Sequence, residues 1–292
     1  MSKITSYVLL ISTFVIWGTL YVVSSFVLGK LPTFTVAFLR YFIGFIVLSL
    51  FSFGKIGKIE RADYPYFLLI GIIGYFVSVD AQLLGTKFAG SAMASLINST
   101  NPIMISVMAA IFLKERMTPG AIFGLLLSVS GVFVILGVGS KVSVIGMVLS
   151  FLSVLLWSIT SVNTRKISAH YSSLTITKFA MLMACIFNFP VAIGEIAFTH
   201  PVITVDVPVV LSVLYIGLVC TALANFLWNR SLGVIPAHIC ASFYPIQTLT
   251  SSILGILFLH EACTLSFVIG SLFIIVGVLF SLMPQRKKAY AS

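Results

Sequence analysis

The chain has 292 residues, 60% of them hydrophobic and 8% charged, with a net charge of +10 and a mean hydropathy of +1.17. A soluble core cannot hide that much apolar sequence behind so few charges, so the bilayer must serve as the solvent. The basic residues lie scattered between apolar segments and form no aromatic-interleaved surface, which argues against nucleic acid as a partner.

A spanning helix needs about 20 largely apolar residues. Breaking the chain at its charges and prolines predicts ten spans, near 6–28, 33–53, 64–86, 90–112, 118–138, 143–163, 172–197, 208–231, 237–258 and 264–283. The connections are too short to hold a soluble domain. If both termini are cytoplasmic, Lys3, Lys55, Lys58, Arg61, Lys114, Arg116, Arg165, Lys166, Arg230, Arg286, Lys287 and Lys288 lie inside, against Lys30, Lys87 and Lys141 outside. That asymmetry is the positive-inside signature. It predicts a multi-pass protein of the cell (inner) membrane with both ends in the cytoplasm.

The chain also repeats. A shift of 146 positions lays Leu113, Glu115, Thr118, Gly124, Gly131 and Val132 on Leu259, Glu261, Thr264, Gly270, Gly277 and Val278. A shift of 140 lays Trp17 on Trp157, so the first apolar segment, which could pass for a cleaved leader, is expected to be a permanent span. The predicted fold class is an all-α integral membrane protein whose halves, 1–140 and 141–292, each hold five spans. An odd number of spans per half makes the repeats inverted. Duplicated bundles of this kind place a small-molecule site near the midplane, where the halves meet.

In chain order, the first span puts Trp17 and Tyr21 on one face, and the second buries Arg40. The third carries Tyr75 and Asp80, and the fourth puts Asn98 and Asn101 on one face, followed by Pro102. In the fifth, Gly124 and Gly131 are spaced to open a groove for another backbone, with Gly270 and Gly277 of the tenth as the expected partners. Glu115 and Glu261, with Thr118 and Thr264, suit turns and helix caps. The sixth span carries Trp157 and Ser161. The seventh has Lys178 and Pro190, and the eighth has Asn225 and Asn229 at the depth of Lys178. The ninth has Tyr244 and Gln247, which the shift of 146 lays on Asn98 and Asn101, as it lays Thr221 on Tyr75. Polar positions recurring near mid-span in both halves mark a site, although interhelical hydrogen bonding is also served by such residues. Pro102, Pro190 and Pro245 can kink their helices and free carbonyls beside a cavity.

Trp17-Gly18-Thr19, Phe38-Leu39-Arg40-Tyr41, Asn101-Pro102, Leu113-Lys114-Glu115-Arg116, Trp157, Arg165-Lys166 and Leu259-His260-Glu261 occur in this order. In that order and duplication the chain resembles ten-helix EamA-type members of the drug/metabolite transporter superfamily over nearly its whole length. The resemblance implies a single-chain transporter of small metabolites, often an exporter of amino acids or related compounds, with a central cavity between the halves. In similar proteins a proline precedes each glutamate by 13 positions, as Pro102 precedes Glu115; here Thr248 holds that place before Glu261, and the proline is Pro245. The first and sixth spans lack the acidic residue that the related small multidrug branch uses for cationic drugs.

Arg40, Asp80 and Lys178, charges set within spans, must each face a cavity, a partner or the interface. Arg40 or Lys178 is a candidate to attract a substrate carboxylate, Lys178 alternatively snorkelling to the interface. Asp80 is the candidate proton carrier, or else simply balances Arg40. The candidate substrate site is Trp17, Tyr21, Arg40, Tyr75, Asn98, Asn101, Trp157, Lys178, Tyr244 and Gln247. The expected partners are a small-molecule substrate, the lipid bilayer and, where coupling exists, protons; the chain is expected to act as a monomer. No cofactor or metal is implied, since the four cysteines lack ligand spacing. No catalytic motif or mid-span pair of carboxylates or histidines supports an enzyme. An uptake permease, a facilitator, a multidrug exporter and a membrane protein that moves nothing remain as alternatives.

Overall fold

The computed structural model describes residues 3–52, 57–113, 119–137, 143–234, 240, 243–260 and 264–282. Among these residues there are helices and no strand. In chain order they are α1 (Lys3–Leu28), α2 (Thr33–Phe51), α3 (Arg61–Ala89), α4 (Ser91–Asn98), α5 (Asn101–Leu113) and α6 (Pro119–Gly137). They continue with α7 (Val144–Ile167), α8 (Ser173–Thr199), α9 (Val207–Val234), α10 (Tyr244–Leu259) and α11 (Leu265–Leu282). Six of these, α1, α2, α3, α7, α8 and α9, are long and apolar enough to cross a bilayer, and α10 and α11 are shorter apolar helices. The burial pattern is the reverse of a soluble protein's: Leu50, Phe51, Leu126, Val148 and Phe258 face outward, while Arg40, Asn101, Lys178, Asn188 and Gln247 are buried. Lipid is the solvent that suits such a surface.

Local chemistry sets the helix ends. Ser143, Ser172 and Asp206 cap α7, α8 and α9, their side chains accepting from Gly146, Thr175 and Val209 N–H. α2 follows Pro32, which offers no capping oxygen. Glu195, near the far end of α8, replaces it by accepting from the Thr33, Phe34 and Thr35 N–H groups at 2.9, 2.8 and 3.4 Å. His200 and His260 end α8 and α10 in the left-handed conformation. The proposed caps at Glu115, Thr118 and Glu261 lie outside the described residues.

The prolines correct one expectation. Pro190 lies inside α8, but Pro102 and Pro245 occupy the first turns of α5 and α10, where a missing N–H breaks no helical bond. They start helices and do not kink them. The predicted span at 90–112 is broken between α4 and α5 at Ser99 and Thr100, whose hydroxyls donate back to the Leu96 and Ile97 carbonyls at 2.7 Å each. α3 and α9 each widen into a π-helical stretch, Leu69–Ser78 and Ile216–Leu223, and the two overlap under the shift of 146. Such stretches are rare and concentrate at functional sites.

Packing follows the repeat. α1 lies on α9 and α10, and its counterpart α7 lies on α3, α4 and α5. α2 packs on α9, and its counterpart α8 packs on α3. Counterparts also pair directly: α2 with α8, and α6 with α11. Both pairs run antiparallel. Phe38 meets Phe189 at 5.4 Å and Thr33 meets Glu195, while Phe123 meets Phe280 at 5.1 Å and Gly131 lies against Gly270 and Ile274. The same register sets buried Gly124 opposite buried Gly277. The glycine pairs thus share one seam, with backbones close enough that side chains there would separate them.

Candidate functional site

Where α1, α2, α3, α4, α7, α9 and α10 converge, a cavity of about 40 Å³ is lined by Trp17, Leu20, Arg40, Tyr41, Ser78, Val79, Gln82, Asn98, Ser153, Trp157, Asn225, Tyr244 and Gln247. Space of that size suits a few waters. A metabolite needs the surrounding helices to part.

The aromatic wall is continuous. Trp17 crosses Trp157 edge-on at 6.1 Å and lies 5.6 Å from Trp228, Phe14 sits 4.7 Å from Tyr244, and Tyr75 lies 5.7 Å from Trp157 and 5.9 Å from Tyr41. Amides and hydroxyls stitch the wall together. Trp157 Nε1 donates to Tyr244 Oη at 3.0 Å, and Gln82 Nε2 donates to Tyr21 Oη at 2.6 Å. Gln247 Nε2 donates to Asn98 Oδ1 at 3.2 Å.

Six sequence-predicted residues reach the cavity wall: Trp17, Arg40, Asn98, Trp157, Tyr244 and Gln247. Three others stand behind it. Tyr21 supports Gln82, and Tyr75 accepts from Asn229 Nδ2 at 3.1 Å while packing against Trp157. Asn101 donates to the Asn98 carbonyl at 2.8 Å and accepts from Ser158 Oγ at 3.2 Å, tying the break between α4 and α5 to α7. Lys178 is not among the lining residues. It is buried and donates to Ser52 Oγ, at the C-terminal end of α2, at 2.6 Å, away from the cavity wall.

Arg40 is 3% exposed; its Nε donates to Thr221 Oγ1 at 3.0 Å, its guanidinium lies 5.3 Å from the Tyr41 ring centre, and Nη1 has no hydrogen-bond partner. Asp80 is buried nearby in the fold, with Oδ1 unpartnered. The two form no ion pair. Sequence reasoning missed Tyr41, Gln82 and Trp228. Tyr41 follows Arg40 in a quoted motif, and Gln82 lies one turn beyond Ser78 on α3, so both carried a weak signal.

Contacts between the halves also lie at the two ends of the bundle. At one end Lys30 pairs with Asp206 at 2.6 Å, Thr204 N–H donates to the Lys30 carbonyl, and Glu195 caps α2. At the other, Tyr171 donates to Asp63 at 2.7 Å and Lys166 donates to Tyr66 at 2.6 Å. The Lys30 hydrogen bond holds the Asp206 carboxyl below its ordinary value. That tie is therefore complete at neutral pH and is lost only as the pH falls below the ordinary carboxylate value of about 3.9.

The sequence pattern of the EamA-like transporter family matches residues 4–137 and again residues 144–283. The chain belongs to the EamA-like transporter family. Among curated relatives, the uncharacterized transporter YetK of Bacillus subtilis (strain 168) is 26% identical, over 97% of this chain and 88% of that protein. The probable amino-acid metabolite efflux pump of Escherichia coli (strain K12) is 22% identical, over 96% of this chain and 95% of that one. A crystal structure whose chain is 20% identical superposes with a TM-score of 0.70, covering 96% of this chain and 97% of that one, which shows the shared fold alone. As an EamA-like protein this chain is a multi-pass membrane transporter with a small-molecule substrate, and its family points away from an enzyme. The EamA repeat accounts for the paired positions in the cavity wall, Asn98 with Tyr244 and Trp17 with Trp157, each from one family match.

Proposed function

We propose that the chain moves a small metabolite, an amino acid or related compound, out of the cell by alternating access. The observation that carries this reading is the central cavity. It lies between the two family matches and has aromatic walls and convergent amides, and the contacts between the halves at the two ends of the bundle are ones a rocking motion can break. The substrate's apolar body packs on Trp17, Trp157 and Tyr244, and Asn98 and Gln247 orient its polar group. Tyr21, Tyr75 and Asn101 hold those groups in place. Asp80 carries a proton, coupling export to the pH gradient. The amino-acid reading is supported by the printed name of the Escherichia coli relative.

The architecture proposed is two inverted five-helix repeats, 1–140 and 141–292, giving ten spans and a monomeric transporter in the cell (inner) membrane. The antiparallel pairing of counterparts, α2 with α8 and α6 with α11, supports inversion. The asymmetric placement of lysine and arginine supports cytoplasmic termini. Reporter fusions after Ser292 and within residues 198–207 are expected to report opposite sides of the membrane. Matching compartments break the ten-span topology.

Binding is tested by thermal shift on purified protein with a panel of amino acids, nucleosides and sugars. A ligand at about 100 times its Kd stabilises the folded state by about 2.7 kcal/mol, a rise of a few degrees. The expected result is a rise confined to amino acids or close relatives. A rise with sugars or nucleosides alone removes the amino-acid assignment.

A further inference from the structure

Arginine keeps its proton in proteins, so Arg40 is a permanent cation within the span. It is 3% exposed, lines the cavity, and has one terminal nitrogen, Nη1, without a partner. Its Nε is fixed by Thr221 at 3.0 Å and its plane lies beside the Tyr41 ring, so the fork is held in place by neighbours on two helices. Among the described residues no acidic side chain lines the cavity; the lining is otherwise aromatic, aliphatic, amide and hydroxyl. Asp80, the buried acid on the same helix as Gln82, makes no ion pair with Arg40. Lys178, the other buried cation among the described residues, lies elsewhere with its ammonium on Ser52.

A buried guanidinium with an open N–H and no contacting carboxylate is a receptor for an oxyanion. A planar carboxylate matches its fork with short charge-assisted bonds. We infer that the cavity selects substrates bearing a carboxylate, which docks on Arg40 while an aromatic or aliphatic body lies against Trp17, Trp157 and Tyr244. The inference rests on the transport reading and adds the charge it selects. An amino group is not required by this site, because no acid stands in the wall to receive it. Arg40 is then the specificity-determining residue, and Thr221 and Tyr41 are positioning residues that hold its fork.

The three tryptophans of the chain, Trp17, Trp157 and Trp228, all belong to the aromatic cluster at the cavity, so intrinsic fluorescence of the full chain in nanodiscs reports on this site. The probes are phenylacetate, its neutral amide phenylacetamide, and phenethylamine. Phenylacetate is expected to give a saturable fluorescence change at concentrations at least about tenfold below either of the others, the size of one charge-assisted contact. Arg40→Gln is expected to weaken phenylacetate binding by about tenfold to a hundredfold and erase the preference over the amide, while Arg40→Lys retains part of it. Binding of the amide or amine as tight as that of the acid, no saturable binding of the acid, or a folded Arg40→Gln that binds the acid like wild type each overturns the inference. Should Arg40→Gln not fold, the wild-type series and Arg40→Lys decide. Loss of charge preference leaves the transport reading standing, whereas absence of flux for a ligand that binds removes that reading and leaves carboxylate recognition intact.

Discussion

Gly131→Leu is expected to abolish most of the folded yield in detergent. A Cβ at Gly131 would stand 2.6 Å from the Gly270 carbonyl oxygen, 2.9 Å from Ile274 and 3.0 Å from Phe273. The nearest of these is backbone, which cannot rotate away. Even Gly131→Ala must therefore push α6 from α11, at a cost of about 1–3 kcal/mol, and leucine adds a branched side chain to the same gap. The loss has no compensating hydrophobic gain, since helices in lipid associate by close packing and not by escape from water. Gly194→Ala is the matched control. Its Cβ meets nothing nearer than Phe198 at 3.9 Å in α8, so it is expected to leave melting unchanged or to raise it, by up to about 1 kcal/mol of helix propensity. Fluorescence-detected size exclusion and melting of the three variants check this. Normal yield for Gly131→Leu would refute the seam.

Asp80→Asn is expected to separate transport from its driving force. A buried carboxyl without a contacting cation, and with Oδ1 unpartnered, is suited to cycle between charged and neutral forms. A structural ion pair is not. If Asp80 carries one proton per cycle, a gradient of about one pH unit supports up to about tenfold accumulation. Asp80→Asn should bring that ratio to about one while substrate exchange at equal pH persists. If Asp80 only balances Arg40, either single neutralisation harms folding and the double variant restores it. Gradient-driven accumulation that survives in Asp80→Asn eliminates the coupling role.

Much of this is legible in the sequence. Apolar runs bounded by charges located the helices, and the internal repeat pointed to Asn98, Trp157, Tyr244 and Gln247, because polar positions that recur at mid-span in both halves are costly in lipid unless they share a use. What depth along a helix cannot give is azimuth. Lys178 shares its depth with Asn225, yet Asn225 lines the cavity and Lys178 points to Ser52. The same ambiguity hid Gln82, whose face on α3 is set by the π-helical stretch just before it, and no side-chain pattern announces that wider turn. The proline positions misled for a related reason. A proline marks a missing N–H but does not say whether the helix continues behind it, and at Pro102 and Pro245 it does not. Glu195 capping α2 from the other half was likewise invisible, being a contact between residues 162 positions apart.

The central claim is that this chain carries a small metabolite through the cavity between its halves, and flux tests it most directly. Purified protein is reconstituted into liposomes loaded with an unlabelled amino acid or carboxylate that binds it, and uptake of the labelled compound is followed. The account predicts saturable exchange that empty liposomes lack, and a fall of about tenfold in Gln247→Ala at normal folded yield, the size of one lost polar contact to substrate. Uptake indistinguishable from empty liposomes for every compound that binds, or exchange untouched by Gln247→Ala, Trp157→Ala and Arg40→Gln alike, would contradict it.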